Sequence, residues 1–337
     1  MTVAITQDPE YRALLDYAAR IGSDPTLVQG AGGNVSIKRD GVLWVKASGT
    51  WLAEAGRREI MVPVRLGPLL AAVRSGADVE RTEPFVADEL NPSGLRPSIE
   101  TTMHGVLPHP VVVHVHCVET IAWATRAFAA SAVAPLLAGL PWAFVPYVRP
   151  GAPLTRGILE HAPPGTDVLI LGNHGLTVGA ADVAGAAALL AEVSRRLRLP
   201  VRSAISPDLP RLEALAAGTP YRVAADAAVH GVATDPESLA VARCGSLYPD
   251  HVIFLGPGIV EADGEIGEAQ APMLVVPGAG VLLREDASAG AAALARCLAD
   301  VTARIDPTLA LTVLTAAEEA ELLGWDAEKY RQGLDKR

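Results

Sequence analysis

Two histidines set two residues apart within a run of β-branched residues, Pro110 to Cys117 (PVVVHVHC), constrain this chain more than any other stretch. A short valine run favours a strand, whose side chains alternate between faces, so His114 and His116 leave the same face. A lone histidine in such a run reads as a hydrogen-bonded core residue. Two on one face read differently, because burying two imidazoles among valines costs several kcal/mol unless both find partners. Neutral imidazole is the commonest protein ligand for zinc and related metals, so the pair reads as half of a metal clamp. A clamp needs at least one further ligand from elsewhere in the chain.

Asp167 to Gly179 (DVLILGNHGLTVG) offers that ligand. It reads as a buried strand, a glycine-flanked turn carrying Asn173 and His174, and a second strand, followed by an Ala-rich helix from Asp182 to about Leu197. Backbone on both sides would hold His174 in place. Three histidines leave a tetrahedral ion one open position, the mark of a catalytic site more than of a structural one. Upstream of the clamp, Arg96 to Glu100 (RPSIE) leads into TTMHGVL. Pro97 and Ser98 mark a helix start with Glu100 in its first turn, and ordinary capping would explain that pattern. The same helix feeds through Pro108 and Pro110 into the histidine strand, so Glu100 can also lie beside the ion and serve in proton transfer. His104, four residues on, is a less favoured ligand.

Two polar glycine turns come earlier. Gly30 to Lys38 (GAGGNVSIK) is not a dinucleotide loop, since Val35 stands where a third glycine is required and a strand follows instead of a helix. Gly33 and Asn34 instead suit a loop whose N–H and amide groups line an anion pocket, though this loop taken alone reads first as a plain β-turn. Val42 to Lys46 then runs into Ser48, Gly49 and Thr50. These two turns and the helix start at Ser98 can converge on one phosphate.

GGNVS, ASGT, PSIE, HVH and LGNHG, in this order from Gly30 to about Leu199, resemble the class II aldolase/adducin family, the metal-dependent aldolases of fuculose and rhamnulose phosphates. The wording QGAGGNVSIK, LWVKASGTWLAEA and RPSIET is most similar to the aldolase part of bifunctional rhamnulose 1-phosphate aldolase/dehydrogenases. The resemblance implies a three-layer α/β/α domain with a central, largely antiparallel sheet. It implies His114, His116 and His174 as ligands of Zn2+ or another divalent metal, and Glu100 as the catalytic acid/base. Gly33, Asn34, Ser48, Gly49 and Ser98 would hold the phosphate of a sugar phosphate substrate. It also implies a homotetramer and a carbon–carbon lyase cleaving a ketose 1-phosphate to dihydroxyacetone phosphate and an aldehyde. Where family aldolases have a second serine before the glutamate, this chain has Ile99, so one phosphate contact is missing. The same fold and metal also serve dehydration, epimerisation or decarboxylation of a sugar or hydroxy acid. A non-catalytic, adducin-like binding protein would be expected to have lost the ligand set.

Charge and cysteine usage narrow the partners. A net charge of −10 without a basic cluster excludes a nucleic-acid partner. No apolar run approaches the ~20 residues of a membrane span. The opening MTVAITQDPEYR lacks the pattern of a secretory signal. Cys117, Cys244 and Cys297 are scattered without metal or disulfide spacing, which points to a reducing, cytoplasmic setting.

The expected organisation is a catalytic domain over 1–199 and an accessory α/β unit over 200–337. In the latter, Asp250 to Leu255, Met273 to Val276 and Val281 to Leu283 read as strands and Ala287 to Ile305 as a helix. A shift of 105 positions lays LGNHGLTVGAADVAGAAAL (Leu171 onward) without a gap on VPGAGVLLREDASAGAAAL (Val276 onward). This suggests a degenerate repeat with Ala279 at the place of His174, although Ala-rich helices also match by composition.

Overall fold

The computed structural model describes residues 5–77, 79–263, 266, 270–326 and 333–334. The first four residues and Asp78 lie outside the described residues; the polar stretch that Asp78 opens, to Gly94, reads from its sequence as a surface loop. The chain divides into two compact units, 1–117 with 134–196 and 118–133 with 197–337. This division gives 118–133 to the second unit, unlike a single cut after residue 199.

The first unit is built on the strands β1 (Asn34–Arg39), β2 (Val42–Lys46), β3 (Met61–Arg65), β4 (Val111–Val115), β5 (Trp142–Val145), β6 (Val168–Leu171) and β7 (Gly175–Ala180). They form one sheet in the order β3-β2-β1-β4-β7-β6-β5. Every neighbouring pair is antiparallel except β5 and β6. The helices, numbered along the chain, are α1 (Pro9–Gly22), α2 (Leu66–Arg74), α3 (Thr101–Val106), α4 (Val118–Ala124), α5 (Ala129–Val133), α6 (Ala152–His161) and α7 (Val183–Arg196). Of these, α4 and α5 belong to the second unit.

Helices cover both faces, giving three layers. On one face α1 and α7 pack together against β1, β4 and β7. On the other, Met103 and Leu107 from the α3 segment and Leu154 and Ile158 from α6 close over Val112, Leu169 and Leu171. Val112 and His114 share a parity on β4, so the histidine projects toward the α3 layer. All five residues of β4 are buried, which explains why its sequence is nearly continuous valine instead of alternating.

Three local expectations are corrected. The helical spacing of Leu66, Leu69, Leu70 and Val73 predicts a helix over Pro63 to Ala77, but Pro63 does not open it: it lies inside edge strand β3 opposite Trp44, where a missing N–H is tolerated, and the helix begins at Leu66. The stretch before Gly94 is not wholly surface, since Val79 and Val86 join the core under α2. Residues from Asp250 to Leu255 are helical, not extended. Pro249 sits in the first turn and every residue from Pro249 to Leu255 is buried, so no amphipathic period distinguished helix from strand.

The second unit holds a three-stranded antiparallel sheet, β8 (Tyr221–Val223), β10 (Gly280–Arg284) and β9 (Met273–Val276), in that order. Around it lie α8 (Leu209–Ala216), α9 (Gly231–Thr234), α10 (Pro236–Ala242), α11 (Pro249–Leu255), α12 (Ala289–Thr302) and α13 (Ala316–Gly324). Segment 118–133 is stitched into this unit by an ion pair from Arg304 to Glu119 at 3.3 Å. The Thr312 N–H donates to Thr125 O at 2.7 Å, and that of Ala127 to Ala310 O at 2.9 Å. Among the described residues no helix is long and apolar enough to cross a membrane.

Candidate metal centre

Glu100, His114, His116 and His174 offer ligand atoms that all lie within 4.8 Å of one another, and all four residues are buried. The three imidazoles form a nearly equilateral triangle, with ring centroids 4.9 to 5.0 Å apart. His114 is held from behind: its Nδ1 donates to Leu176 O at 3.1 Å, beside the Thr177 hydroxyl at 3.0 Å. That bond leaves the Nε2 lone pair pointing into the cluster, as metal-binding histidines require. His116 stands just past the end of β4, where Gln29 Nε2 donates to its carbonyl at 3.3 Å.

His174 reaches the cluster through a tight turn. Its N–H donates to Leu171 O at 3.1 Å, and Asn173 takes a left-handed φ of 51°. A Cβ on Gly175 would stand 2.4 Å from Val115 O, so only glycine lets β7 begin this close to the end of β4. The sequence LGNHG thus specifies the turn that brings His174 to His116.

Glu100 occupies the N-cap position of α3, and the helix begins at Thr101 instead of Ser98. The Ser98 hydroxyl oxygen accepts from the Glu100 N–H at 3.2 Å and so meets the local backbone need. The Glu100 carboxylate makes no cap bond. Its Oε1 lies 3.3 Å from His114 Nε2 and 3.4 Å from His174 Nε2. His104 is not part of the cluster; its Nδ1 pairs with the Ser36 hydroxyl at 2.7 Å. Burial, the largest cause, holds its pKa well below the ordinary histidine value.

The two glycine turns expected to bind an anion are brought beside this cluster by pairing. Asn34 faces His114 across the β1–β4 ladder, is fully buried, and has neither amide atom hydrogen-bonded. Gly33 precedes it with φ 63°. An isolated bridge between Ala47 and Pro97 places the Ser48–Gly49 turn next to Ser98. That bridge uses donors: the Ser48 N–H goes to Arg96 O and the Ser98 N–H to Lys46 O. These turns therefore have fewer free backbone donors than their sequence suggests.

Sequence reasoning placed no lysine among these turns, yet Lys46, only 2% exposed, lies between them. Its ammonium donates to Ala31 O at 2.8 Å and Thr50 O at 2.7 Å, tying the glycine loop to the ASGT turn. A lysine ending an otherwise apolar strand was the available signal. Gln29 was also missed. It joins Pro25 O at 2.7 Å to the His116 carbonyl, and no pattern in the glycine loop predicts that contact.

The profile of the Class II Aldolase and Adducin N-terminal domain matches residues 13–201, more than half of the 337 residues. The chain belongs to this family. The uncharacterized oxidoreductase YuxG of Bacillus subtilis is 30% identical over 169 residues, which are 46% of this chain and 24% of that protein, so the chain spans about a quarter of that relative's length. The N-terminal class II aldolase domain of a conserved protein from Thermoplasma acidophilum shares 26% identity over 57% of this chain and 92% of its own, with a TM-score of 0.48. L-fuculose-1-phosphate aldolase from Thermus thermophilus shares 15% identity over 56% and 90%, with a TM-score of 0.39.

Within this class II aldolase and adducin member, the donor set suits a divalent ion. Three imidazoles and one carboxylate, buried together, match the nitrogen and oxygen preference of zinc and its neighbours. Without a cation to converge on, such a concentration of polar atoms in a buried site would be costly.

Proposed function

We propose that this chain is a metal-dependent carbon–carbon lyase of the rhamnulose and fuculose phosphate type, cleaving a ketose 1-phosphate to dihydroxyacetone phosphate and an aldehyde. The buried convergence of Glu100 with His114, His116 and His174 carries this reading. The three histidines would hold the ion, proposed as Zn2+, while their neutral rings leave its charge uncompensated. When bound, such an ion supplies Lewis-acid polarisation of a substrate oxygen.

The remaining work falls to the chain itself. Glu100 is buried, is not engaged in capping, and lies where it can move a proton next to the histidines. The Asn34 amide, the Ser48 and Ser98 hydroxyls and the Gly49 turn would orient the anionic end of the substrate. Lys46 would keep the two turns at fixed separation and place a positive charge behind them. Zinc, a homotetrameric assembly and a cytoplasmic setting belong to the same proposal. The last is supported by Cys117, Cys244 and Cys297 all being outside disulfides.

A second reading is favoured by one feature of the anion end. Two of its backbone N–H groups are consumed by the Ala47–Pro97 bridge and Ile99 replaces a serine, which suits an unphosphorylated sugar or hydroxy acid undergoing dehydration, epimerisation or decarboxylation. The deciding experiment compares kcat/KM for rhamnulose 1-phosphate and for its unphosphorylated parent, with Ile99→Ser alongside. A phosphate preference that rises roughly ten- to a hundredfold in Ile99→Ser, the worth of one charge-assisted bond, supports the lyase pocket. Equal rates on both sugars would refute it.

A further inference from the structure

We propose that residues 207–302 are a second, metal-free copy of residues 98–197, in which every position of the metal cluster has become apolar. The correspondence of the two segments rests on backbone pairing. Only the identity of the lost positions rests on the metal reading above.

The strands repeat register for register. An offset of 105 carries β6 and β7 onto β9 and β10: Val168 opposite Val178 becomes Met273 opposite Leu283, and Leu171 opposite Gly175 becomes Val276 opposite Gly280. The turn between them is also copied. His174 N–H to Leu171 O becomes Ala279 N–H to Val276 O, and the left-handed Asn173 becomes the left-handed Gly278. The bond closing the far end, Gly179 N–H to Asp167 O, becomes Arg284 N–H to Pro272 O. The helix after each hairpin follows suit, α7 at Val183–Arg196 and α12 at Ala289–Thr302.

A composition match between Ala-rich helices accounts for none of the next observation. An offset of 109 carries α3 and β4 onto α8 and β8, on the same side of the hairpin. Val112 opposite Gly179, Val113 opposite Val178 and His114 opposite Thr177 become Tyr221 opposite Arg284, Arg222 opposite Leu283 and Val223 opposite Leu282. Core positions obey the same two offsets. Met103, Val112, Leu169 and Leu171 of the first unit become Leu212, Tyr221, Leu274 and Val276 of the second. Two hairpins can converge on one turn. A third strand with its preceding helix in the same register is the signature of duplication.

Carried through, Glu100, His114, His116 and His174 fall on Leu209, Val223, Ala225 and Ala279. None can ligate a metal. His230, the nearby imidazole, is committed on both sides: Nδ1 accepts from Val281 N–H at 3.0 Å and Nε2 donates to Ala224 O at 3.1 Å. The copy has thus lost every side chain that could hold the ion: Leu209 and Ala225 are exposed, Val223 is half-buried and Ala279 is buried.

If the copy keeps the cradle, restoring ligands restores a site. The test is made in His114→Ala/His174→Ala, so that the first site does not contribute, with Co2+ as the probe read by absorption and elemental analysis. Val223→His/Ala225→His gives a weak two-ligand site, and adding Ala279→His should bring about one ion per chain. Ala279 is fully buried, so the surface variant Leu209→Glu, at a position 45% exposed, is tested on the same pair. Each third ligand should tighten Co2+ roughly tenfold or more, since it binds as part of a preformed chelate. Absence of tightening in folded Leu209→Glu and Ala279→His variants would overturn the copy. Absence of an ion in the unmodified protein would overturn the metal reading instead, leaving the duplication standing.

Discussion

Replacing Glu100 by Gln tests the proposed chemistry with the least structural disturbance. The side chain keeps its volume and loses one negative charge. Its Oε1 stands 3.3 and 3.4 Å from two imidazole nitrogens, longer than the 2.7 to 2.9 Å of a strong charge-assisted bond, so the direct stabilisation lost should stay within about 2 kcal/mol. The effect on turnover should be much larger. A positioned general acid/base contributes about 10²- to 10⁴-fold, equivalent to about 3 to 5 kcal/mol of barrier. The prediction is therefore a variant that folds, retains about one divalent ion per chain on its three histidines, and turns over at least ~10²-fold more slowly. Steady-state kinetics on metal-quantified protein measures this. Wild-type turnover would return Glu100 to a merely local role at the start of α3, and loss of the ion would make it an obligatory ligand instead of a proton carrier.

Removing ligands should separate from removing the base: His114→Ala and His174→Ala are each expected to lose the ion by elemental analysis, and full retention in both would sink the cluster as a metal site. Gly175→Ala places a Cβ 2.4 Å from Val115 O, so it should cost about 1 to 3 kcal/mol in thermal unfolding and weaken metal binding, whereas Gly56→Ala, with nothing within 4 Å, should be silent. His251 supplies a pH test. Burial pushes its pKa from 6.5 down to about 4, so the unfolded chain binds the extra proton between these values. The stability this neutral residue contributes is complete above 6.5 and falls by up to on the order of 3 kcal/mol as pH drops toward 4. Chemical denaturation of wild type and His251→Gln across that range should show a shallower acid slope in the variant; parallel slopes would contradict the assignment.

The sequence by itself determined what depends on neighbours along the chain. Alternation on β4 put His114 and His116 on one face, the glycines around His174 specified a turn, and five ordered motifs named the family. The ASGT and PSIE stretches were legible for the same reason, since each is a short backbone conformation written in Gly, Pro and Ser. Tertiary structure decided what depends on residues far apart. Pairing β4 between β1 and β7 set Asn34 and Thr177 on either side of His114, and only that register brings His174 to the clamp. Whether Glu100 capped a helix or faced the histidines could not be read from PSIE, because both uses need the same residue at the same position. Pro249 to Leu255, buried on every side, gave no period from which to choose helix over strand. Lys46 escaped notice because its partners are two backbone carbonyls, which every residue carries and no sequence pattern marks.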